Sequence, residues 1–325
     1  MARFGLALLA ALVLLVICSR ITQPQKFPET LVALGYGERS VTRVEFSTFS
    51  DLTSLVEQLN YTAETWAAGQ REVPRLVFVR IPERFAAVTV NEVTVEQKKS
   101  LFFRMVLPVL LIANEEIAAE RELLMQLKEA LATQRFLDAR QLKTLRRLAD
   151  KYEVTMQGDA VSITAVLGVL ERRIDIVPPS LGLAQAASES GWGTSRFAQE
   201  GNALFGQWRL DGKGMVPEEQ RSSKGDYKVA KFKTPLGSAR SYLRNLNTHG
   251  AYREFRKRRA AARADGRPLS GATLASFLTR YSERGADYVK EIVSIIKSNN
   301  LSVLDRSYLV DGDVYELVPV WRAEG

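Results

Sequence analysis

The spacing of hydrophobic and polar positions changes character along the first hundred residues. Residues 4–17 are almost wholly apolar, and residues 20–50 contain two prolines and two glycines, which predicts a tether. Residues 51–72 have a short helical pattern, for which Asp51 is a suitable N-cap. Residues 73–95 alternate as a strand does, but two prolines interrupt the alternation, so we expect an extended segment at the edge of a sheet.

The middle of the chain is predicted to be helical. From Glu96 onward, leucine, phenylalanine and isoleucine recur at spacings of three and four, and Pro108 either kinks this helix or begins a new one. Further helices are predicted over residues 138–153 and 163–174. These stretches carry no chemical motif, and their apolar stripes predict a core.

A helix of small and apolar residues is predicted from Pro178 to Gly191. Proline is tolerated in the first turn, where its missing N–H has no partner, and glycine is favoured just after the last turn. Glu189 therefore falls in the last turn of a helix whose other residues predict burial.

The remaining pattern predicts a small lobe followed by helices. Residues 205–235 lack helical periodicity and are rich in glycine, which predicts a β-hairpin lobe. Residues 236–260, 270–281 and 285–298 return to a helical pattern. The tail from Leu301 is predicted to be extended.

Charge is distributed unevenly over the 325 residues. The formal net charge is +8, and residues 178–325 hold 23 lysines and arginines against 16 acidic residues. This surplus is typical of a surface that meets a polyanion, such as nucleic acid or a cell wall with stem-peptide carboxylates. An ordinary solvated basic surface explains it equally well.

The scarcity of two residue types limits the chemistry. Cys18 and His249 are the only cysteine and the only histidine, so an intrachain disulfide, a cysteine zinc site and a histidine-rich metal site are excluded. His249 is interpreted as a helix-end residue. The chemistry is therefore expected from carboxylates, tyrosines or hydroxyls.

The apolar run near the N-terminus predicts export. Arg3 precedes it and Cys18-Ser19-Arg20 follows it, as in a signal peptide or an uncleaved signal anchor, and these two remain open. A buried helix of a soluble protein is the alternative. Export would place the chain in the periplasm, with residues 4–18 as a possible inner-membrane anchor, and it argues against nucleic acid as the partner.

Glu189 has the sequence context of a general acid. A carboxyl group at a helix C-terminus meets the negative end of the helix dipole, and burial beside Trp192 disfavours its ionised form. Both effects raise the pKa, which suits a group that protonates a glycosidic oxygen. The alternative is a helix-end carboxylate paired with an arginine.

The residues around Glu189 resemble a known signature. Endo-β-N-acetylglucosaminidases of glycoside hydrolase family 73 carry an A-x-E-S-G-W-G helix end followed by an N-L-F-G segment. This chain has Leu183-Ala184-Gln185-Ala186-Ala187-Ser188-Glu189-Ser190-Gly191-Trp192-Gly193 and then Asn202-Ala203-Leu204-Phe205-Gly206. A later block resembles the family's second block: Tyr281-Ser282-Glu283-Arg284-Gly285-Ala286-Asp287-Tyr288. The wider layout, with Phe102-Phe103, Leu107-Pro108 and Asn114-Glu115-Glu116-Ile117, is similar to the Bax-type branch.

The resemblance implies roles for specific residues. Glu189 matches the general acid, and Glu219 is the preferred second carboxylate, with Glu218 and Asp226 as alternatives. The substrate's own acetamido group is another possible nucleophile, and the spacing of the two carboxylates would decide between inversion and retention. Tyr281 matches a tyrosine that lines the cleft.

The remaining candidates are substrate-binding residues. Trp192, Phe205, Trp208 and Tyr288 could offer faces for stacking on sugars, although Trp192 and Phe205 could equally be packing residues. Asn202 is expected to order the turn beneath the cleft. The sequence departs from the family at Ser188, where an apolar residue is usual, and between Gly206 and Val229, which puts the second carboxylate in doubt.

The resemblance also implies a fold and an organisation. We expect a mainly α (α+β) protein with a lysozyme-like helical domain and a small β-hairpin lobe, on which a helical N-terminal region packs. The predicted divisions are a signal peptide or anchor, a tether, the N-terminal region, the glucosaminidase domain and a C-terminal extension, over residues 1–19, 20–50, 51–159, 160–300 and 301–325.

The implied activity is hydrolysis of the β-1,4 bond after N-acetylglucosamine in the glycan strands of peptidoglycan, with no metal or organic cofactor. A lytic transglycosylase of the lysozyme superfamily and a non-catalytic wall-binding scaffold are the alternatives. The Trp192-Gly193 pair that follows the helix end argues against a lytic transglycosylase. The presence of Glu189 argues against a non-catalytic scaffold.

Overall fold

The structure is a computed structural model that describes residues 39–82, 94–156, 160–209, 214–216 and 228–320. The helices are α1 Phe49–Gln58, α2 Ala63–Ala67, α3 Val95–Gln134, α4 Ala139–Lys151, α5 Ala160–Arg173, α6 Pro179–Ser190, α7 Arg196–Gly201, α8 Pro235–Thr248, α9 Arg253–Ala264, α10 Gly271–Ala275 and α11 Ala286–Ser298. The strands are β1 Val41–Phe46, β2 Glu72–Phe78, β3 Trp208–Arg209, β4 Lys228–Val229 and β5 Tyr308–Pro319. The described part is mainly helical, as predicted.

A three-stranded parallel sheet joins the two ends of the described chain. Its order is β1-β5-β2, so the C-terminal strand lies between two N-terminal strands. The edge position predicted for β2 is confirmed, and the register shifts between Val73 and Arg75, where Pro74 has no N–H to donate. The tail is extended from Tyr308, as predicted, whereas Leu301–Arg306, also predicted to be extended, form a 3₁₀ helix.

The tether prediction for residues 20–50 is wrong at its C-terminal end. Residues 41–46 form β1, which pairs with β5 and buries its two end residues, Val41 and Phe46, in the core. Asp51 is not the N-cap of α1 either. Thr48 caps the helix, and Asp51 completes a capping box three residues later.

The long helix α3 is the centre of the core. Residues 101–114 are all buried, which a helix tolerates only when other elements surround it. Pro108 lies inside α3, and no new helix begins there. One apolar cluster contains residues from α3, from the parallel sheet and from α6, so the N-terminal region packs directly on the helices that follow.

Polar contacts fix α3 against its neighbours. Arg75 of β2 donates two hydrogen bonds of 2.7 Å to the carboxylate of Glu115. Arg240 of α8 binds Glu116 at 2.6 Å. Asn114 both donates to the Val177 carbonyl and accepts from the Val177 N–H, just before α6 begins.

The later helices are shorter than the sequence pattern predicts. The stretch 236–260 is divided at His249, which caps a 3₁₀ turn over Gly250–Tyr252, so its interpretation as a helix-end residue is confirmed. In the stretch 270–281, the α-helix covers only Gly271–Ala275. The antiparallel pair β3–β4 lies where the hairpin lobe was predicted.

Among the described residues, no helix has both the length and the apolar character needed to cross a membrane. The apolar segment predicted to be a signal or anchor, residues 4–18, lies outside the described residues.

Candidate active site

Glu189 occupies the last turn of α6, as predicted, and a tight turn follows it. Gly191, Trp192 and Gly193 have φ values of 56°, 60° and 79°, a left-handed run that glycine adopts easily and tryptophan does not. Ser190 holds this turn, since its hydroxyl donates to the Ala186 carbonyl and accepts from the Gly193 N–H at 2.8 Å. The chain therefore leaves α6 in a defined direction directly beside Glu189.

Gly206 lies against the Glu189 carboxyl group. A Cβ atom at this position would stand 2.6 Å from Glu189 Oε2, and the backbone φ of Gly206 is +57°. Both the close approach and the left-handed conformation require glycine here. The N-L-F-G-like segment thus packs directly against the carboxyl group.

The pKa of Glu189 is raised above its ordinary value. Burial is the largest cause, and the nearby Glu291 carboxylate raises the pKa further. A hydrogen bond from the Tyr288 hydroxyl and the positive charge of Arg284 act in the opposite direction without cancelling the effect. The carboxyl group therefore remains protonated to higher pH than an exposed glutamic acid would.

A buried hydrogen-bond chain leads to Glu189. The Tyr242 hydroxyl donates to Gln185 Oε1 at 2.7 Å, and Gln185 Nε2 donates to the Tyr288 hydroxyl at 2.8 Å. Because Tyr288 accepts from Gln185, its own proton is available for the Glu189 carboxylate. Gln185 and Tyr242 have no exposed surface, so this chain is closed to water.

Four aromatic rings pack behind the carboxyl group. Tyr281 stacks on Tyr288 with ring centroids 5.5 Å apart, and Phe205 stacks on Tyr242 at 4.0 Å. The Tyr281 hydroxyl donates to the Phe205 carbonyl at 3.0 Å. These contacts join the 202–206 segment, α8 and the block that begins at Tyr281 into one wall.

Ser188, which departs from the family pattern, has a polar partner. Its hydroxyl donates to Glu291 Oε1 at 2.6 Å, and Arg284 binds Glu291 Oε2 at 2.6 Å. The Glu291 carboxylate is thus held beside Glu189, where it raises the pKa of the acid. The Ser188 hydroxyl helps to hold Glu291 in this position, whereas a leucine side chain has no hydrogen-bond donor.

Two residues predicted to bind substrate are buried. The Phe205 ring is 1% exposed and the Tyr288 ring 2%, so neither offers a face for stacking on a sugar. The stacking prediction is wrong for both, because Tyr242 and Tyr281 already cover the rings. Phe205 is a packing residue, and Tyr288 contacts Glu189 through its hydroxyl.

Asn202 is likewise occupied by the protein. Its side chain accepts from the Ile81 N–H at 2.9 Å and donates to the Phe232 and Lys233 carbonyls. The expectation that it orders a turn is confirmed, whereas direct substrate binding through its amide is not available. Asn202 also has a left-handed φ of 51°, which asparagine tolerates well.

Trp192 is half-buried and contacts α3. Its ring meets Phe102 and Phe103 edge to face at 5.8 and 5.1 Å, and the Lys99 ammonium lies 5.1 Å from its centroid. The packing interpretation of Trp192 therefore has direct support. Its exposed part remains available to a ligand.

Some predicted residues lie outside what the structure describes. Glu218, Glu219 and Asp226 fall in the stretch 217–227, so the choice of the second carboxylate stays a prediction. The backbone of Trp208 lies in β3, and its side chain is outside the described part. Within the described ranges, no three His, Cys, Asp or Glu side chains come together as metal ligands.

Sequence reasoning missed three contributors to the site. Gln185 precedes Glu189 by four residues, and this spacing on a helix puts both on one face, which was the available signal. Glu291 follows Tyr288 by three residues on α11 and is placed by the same rule. Nothing in the local pattern indicated Tyr242.

Comparisons with known proteins agree with the sequence motif. A family model described as mannosyl-glycoprotein endo-beta-N-acetylglucosaminidase matches residues 169–301. Protein bax of Escherichia coli (strain K12) is 32% identical over 202 residues, which cover 62% of this chain and 70% of that protein. Among solved structures, the catalytic domain of the autolysin Auto from Listeria monocytogenes is similar at 19% identity and a TM-score of 0.32, over 57% of this chain and 88% of the other.

Proposed function

Because the chain belongs to the glucosaminidase family, in its Bax-type branch, we propose that it hydrolyses peptidoglycan at the β-1,4 bond after N-acetylglucosamine. The observation that carries this proposal is Glu189, a helix-end carboxyl group with a raised pKa that lies directly against Gly206. The helices around α6 and the β3–β4 pair support the lysozyme-like class that the family implies. Export of the chain would bring it to this substrate in the periplasm.

The first step assigned to Glu189 is proton donation. Its protonated carboxyl gives a proton to the glycosidic oxygen while the bond from that oxygen to the anomeric carbon breaks. The carboxylate that results accepts the hydrogen bond from Tyr288, which is held in place by Gln185 and Tyr242. Gln185 and Tyr242 are therefore positioning residues that act through Tyr288.

The second step requires a group that stabilises the anomeric carbon or activates water. Glu219 is our preferred residue, with the substrate's acetamido oxygen as the alternative. Tyr281 donates its hydroxyl proton to the Phe205 carbonyl, so it would contribute as an acceptor, for an acetamido N–H or for the attacking water.

The assignment of Glu189 is tested with purified full-length protein on isolated cell walls. We expect Glu189→Gln to reduce wall clearing by a factor of about 10² to 10⁴, since general acid catalysis contributes that much. Glu129→Gln is the matched control, because Glu129 is an exposed glutamate on α3. Equal clearing by Glu189→Gln and wild type would show that Glu189 is not the acid.

A further inference from the structure

The helix α9 is strongly basic, and three of its six cations approach carboxylates of the protein. Of its six cations, Arg258 pairs with Glu254 at 2.6 Å on the same helix. Arg259 and Arg263 both approach the buried Asp175, at 3.9 and 2.9 Å. The proposed reaction does not use any of these three.

The other three cations of α9 line a groove with the end of α5. The groove is formed by Val169, Arg172, Arg173, Arg253, Arg256 and Lys257. Of the described residues that line it, five are cations and none carries a carboxylate. Within the described ranges, none of the five has an acidic partner at ion-pair distance. Burial lowers the pKa of Arg173, and the negative charge of Glu153 acts against this effect. Glu153 itself already pairs with Arg244 at 3.2 Å.

Arg256 forms the fixed floor of this groove. It is only 5% exposed, and its guanidinium donates to the Leu246 and His249 carbonyls at 2.8 and 2.9 Å. Burial, together with the charges of Arg173 and Arg253, lowers its pKa to about 10. The groove also lies at the N-terminal, positive end of α9, which adds to the cost of bringing these charges together.

The groove adjoins the proposed active site through a short connection. Tyr252 immediately precedes Arg253, and the ring of Tyr252 lies 5.9 Å from that of Tyr281 in the wall behind Glu189. Arg256 is bonded to the carbonyl of His249, which begins the same 3₁₀ turn. The groove and the wall behind Glu189 are therefore joined by one short segment, residues 249–253.

We infer that this groove is a subsite for the carboxylate groups of peptides linked to the glycan strand, an inference that rests on the proposed function. Arginine guanidinium groups bind carboxylates with two parallel hydrogen bonds, and an anion here would relieve the mutual repulsion of five cations. A concave groove with a sunken arginine suits single carboxylate groups better than the flat surface of a membrane.

The test compares peptide-bearing peptidoglycan with the same glycan freed of its peptides by an amidase. The variant Arg172→Gln/Arg253→Gln/Lys257→Gln removes three exposed cations and keeps Arg173 and Arg256, which bind backbone carbonyls. We expect its KM on the peptide-bearing substrate to rise about three- to tenfold, with kcat unchanged. On the peptide-free glycan it should equal the wild type.

The control variant Arg140→Gln/Lys143→Gln/Arg146→Gln removes the same charge from the exposed face of α4 and should behave as wild type on both substrates. An unchanged KM of the groove variant, or equal losses on both substrates, would overturn the inference. So would binding of the wild type to phosphatidylglycerol vesicles that the groove variant loses while its KM stays unchanged. A wild type inactive on both glycans would refute the proposed function itself.

Discussion

Glu189 is held in a position that is costly for a carboxylate. It faces the negative end of α6, it is largely shielded from water, and Glu291 lies nearby. The protein compensates only in part, through the Tyr288 hydroxyl and Arg284. This balance favours the protonated carboxyl group more than an exposed glutamic acid does, and the Tyr288 hydroxyl is in place to donate a hydrogen bond after the proton is lost.

The pH dependence of activity follows from this balance. A general acid must be protonated, so activity falls as pH rises through the pKa of Glu189. Tyr288→Phe removes a hydrogen bond that lowers this pKa and leaves the ring stacked on Tyr281. We therefore expect the basic limb of the kcat/KM profile to move to higher pH.

A pH profile on solubilised glycan measures this shift. Tyr308→Phe is the control, because that tyrosine is exposed on the parallel sheet and should leave the profile unchanged. A basic limb that stays in place or moves to lower pH in Tyr288→Phe would contradict the role given to the hydroxyl.

Gly206 allows a second test, which concerns its close contact with the Glu189 carboxyl group. Gly206→Ala places a methyl group 2.6 Å from Glu189 Oε2 and also strains a backbone with φ of +57°. We expect kcat to fall about 10²-fold, as small displacements of catalytic groups do. Stability should fall by about 1–2 kcal/mol from the left-handed backbone.

Gly266→Ala separates these two effects. Gly266 has a φ of +64°, and no heavy atom lies within 4 Å of the point where a Cβ atom would stand. It should show the same loss of stability, measured by urea unfolding, with normal kcat. If Gly206→Ala loses no more activity than Gly266→Ala, the close contact with Glu189 has no catalytic weight.

Among elements, the link between α5 and α6 depends on one buried carboxylate. Asp175 is 2% exposed; Arg263 binds its side chain, and its backbone carbonyl accepts from Arg259 and Asn247. Burial alone would raise the pKa of Asp175, but Arg259, Arg263 and Arg121 hold it below the ordinary value. This cluster fixes α9 against the start of α6.

We expect Asp175→Asn to destabilise the fold by about 3–5 kcal/mol, because Arg259 would remain buried without its carboxylate. The pKa of Asp175 is lowered on folding, so its stabilising effect is present above the ordinary aspartate pKa and lost as pH falls through the folded value. The difference between variant and wild type should therefore shrink in acid.

Urea unfolding at several pH values checks this prediction. Asp265→Asn is the control, since Asp265 and Arg267 form an exposed pair. Equal stability of the two variants at neutral pH would mean that the Asp175 cluster does not hold these helices together.

The helices could be predicted from sequence because their signals are local. The prolines before α6, Gly191 after it and the apolar spacing of α3 are read within a few residues. The parallel sheet could not be predicted, because β1 and β5 are paired across more than 260 residues and no short-range pattern records such a pairing. The stretch 236–260 was predicted as one helical stretch because helical spacing continues on both sides of His249, although that residue itself was interpreted as a helix end.

At the site too, local features could be predicted from the sequence, whereas tertiary contacts could not. The motif identified Glu189, yet it could not show that Phe205 and Tyr288 are buried, since Tyr242 of α8 covers the first ring and Tyr281 covers the second. Gln185 was visible in the motif and became meaningful only through its contacts with two tyrosines.

For the whole molecule, one core unites the N-terminal region with the glucosaminidase helices. β5 pairs with both N-terminal strands, and Ile81, just after β2, donates to Asn202 beside the active-site wall. The N-terminal region therefore helps to form the support of the site. We expect the whole chain, and not residues 169–301 alone, to be the unit that carries the activity.

The central claim is that the protein hydrolyses the bond after N-acetylglucosamine. Mass spectrometry of peptidoglycan fragments released by the full-length protein tests it most directly. We expect fragments that end in a reducing N-acetylglucosamine and have gained one water. The Glu189→Gln variant should not release them. Fragments that end in 1,6-anhydro-N-acetylmuramic acid, with no water gained, would contradict it and identify a lytic transglycosylase.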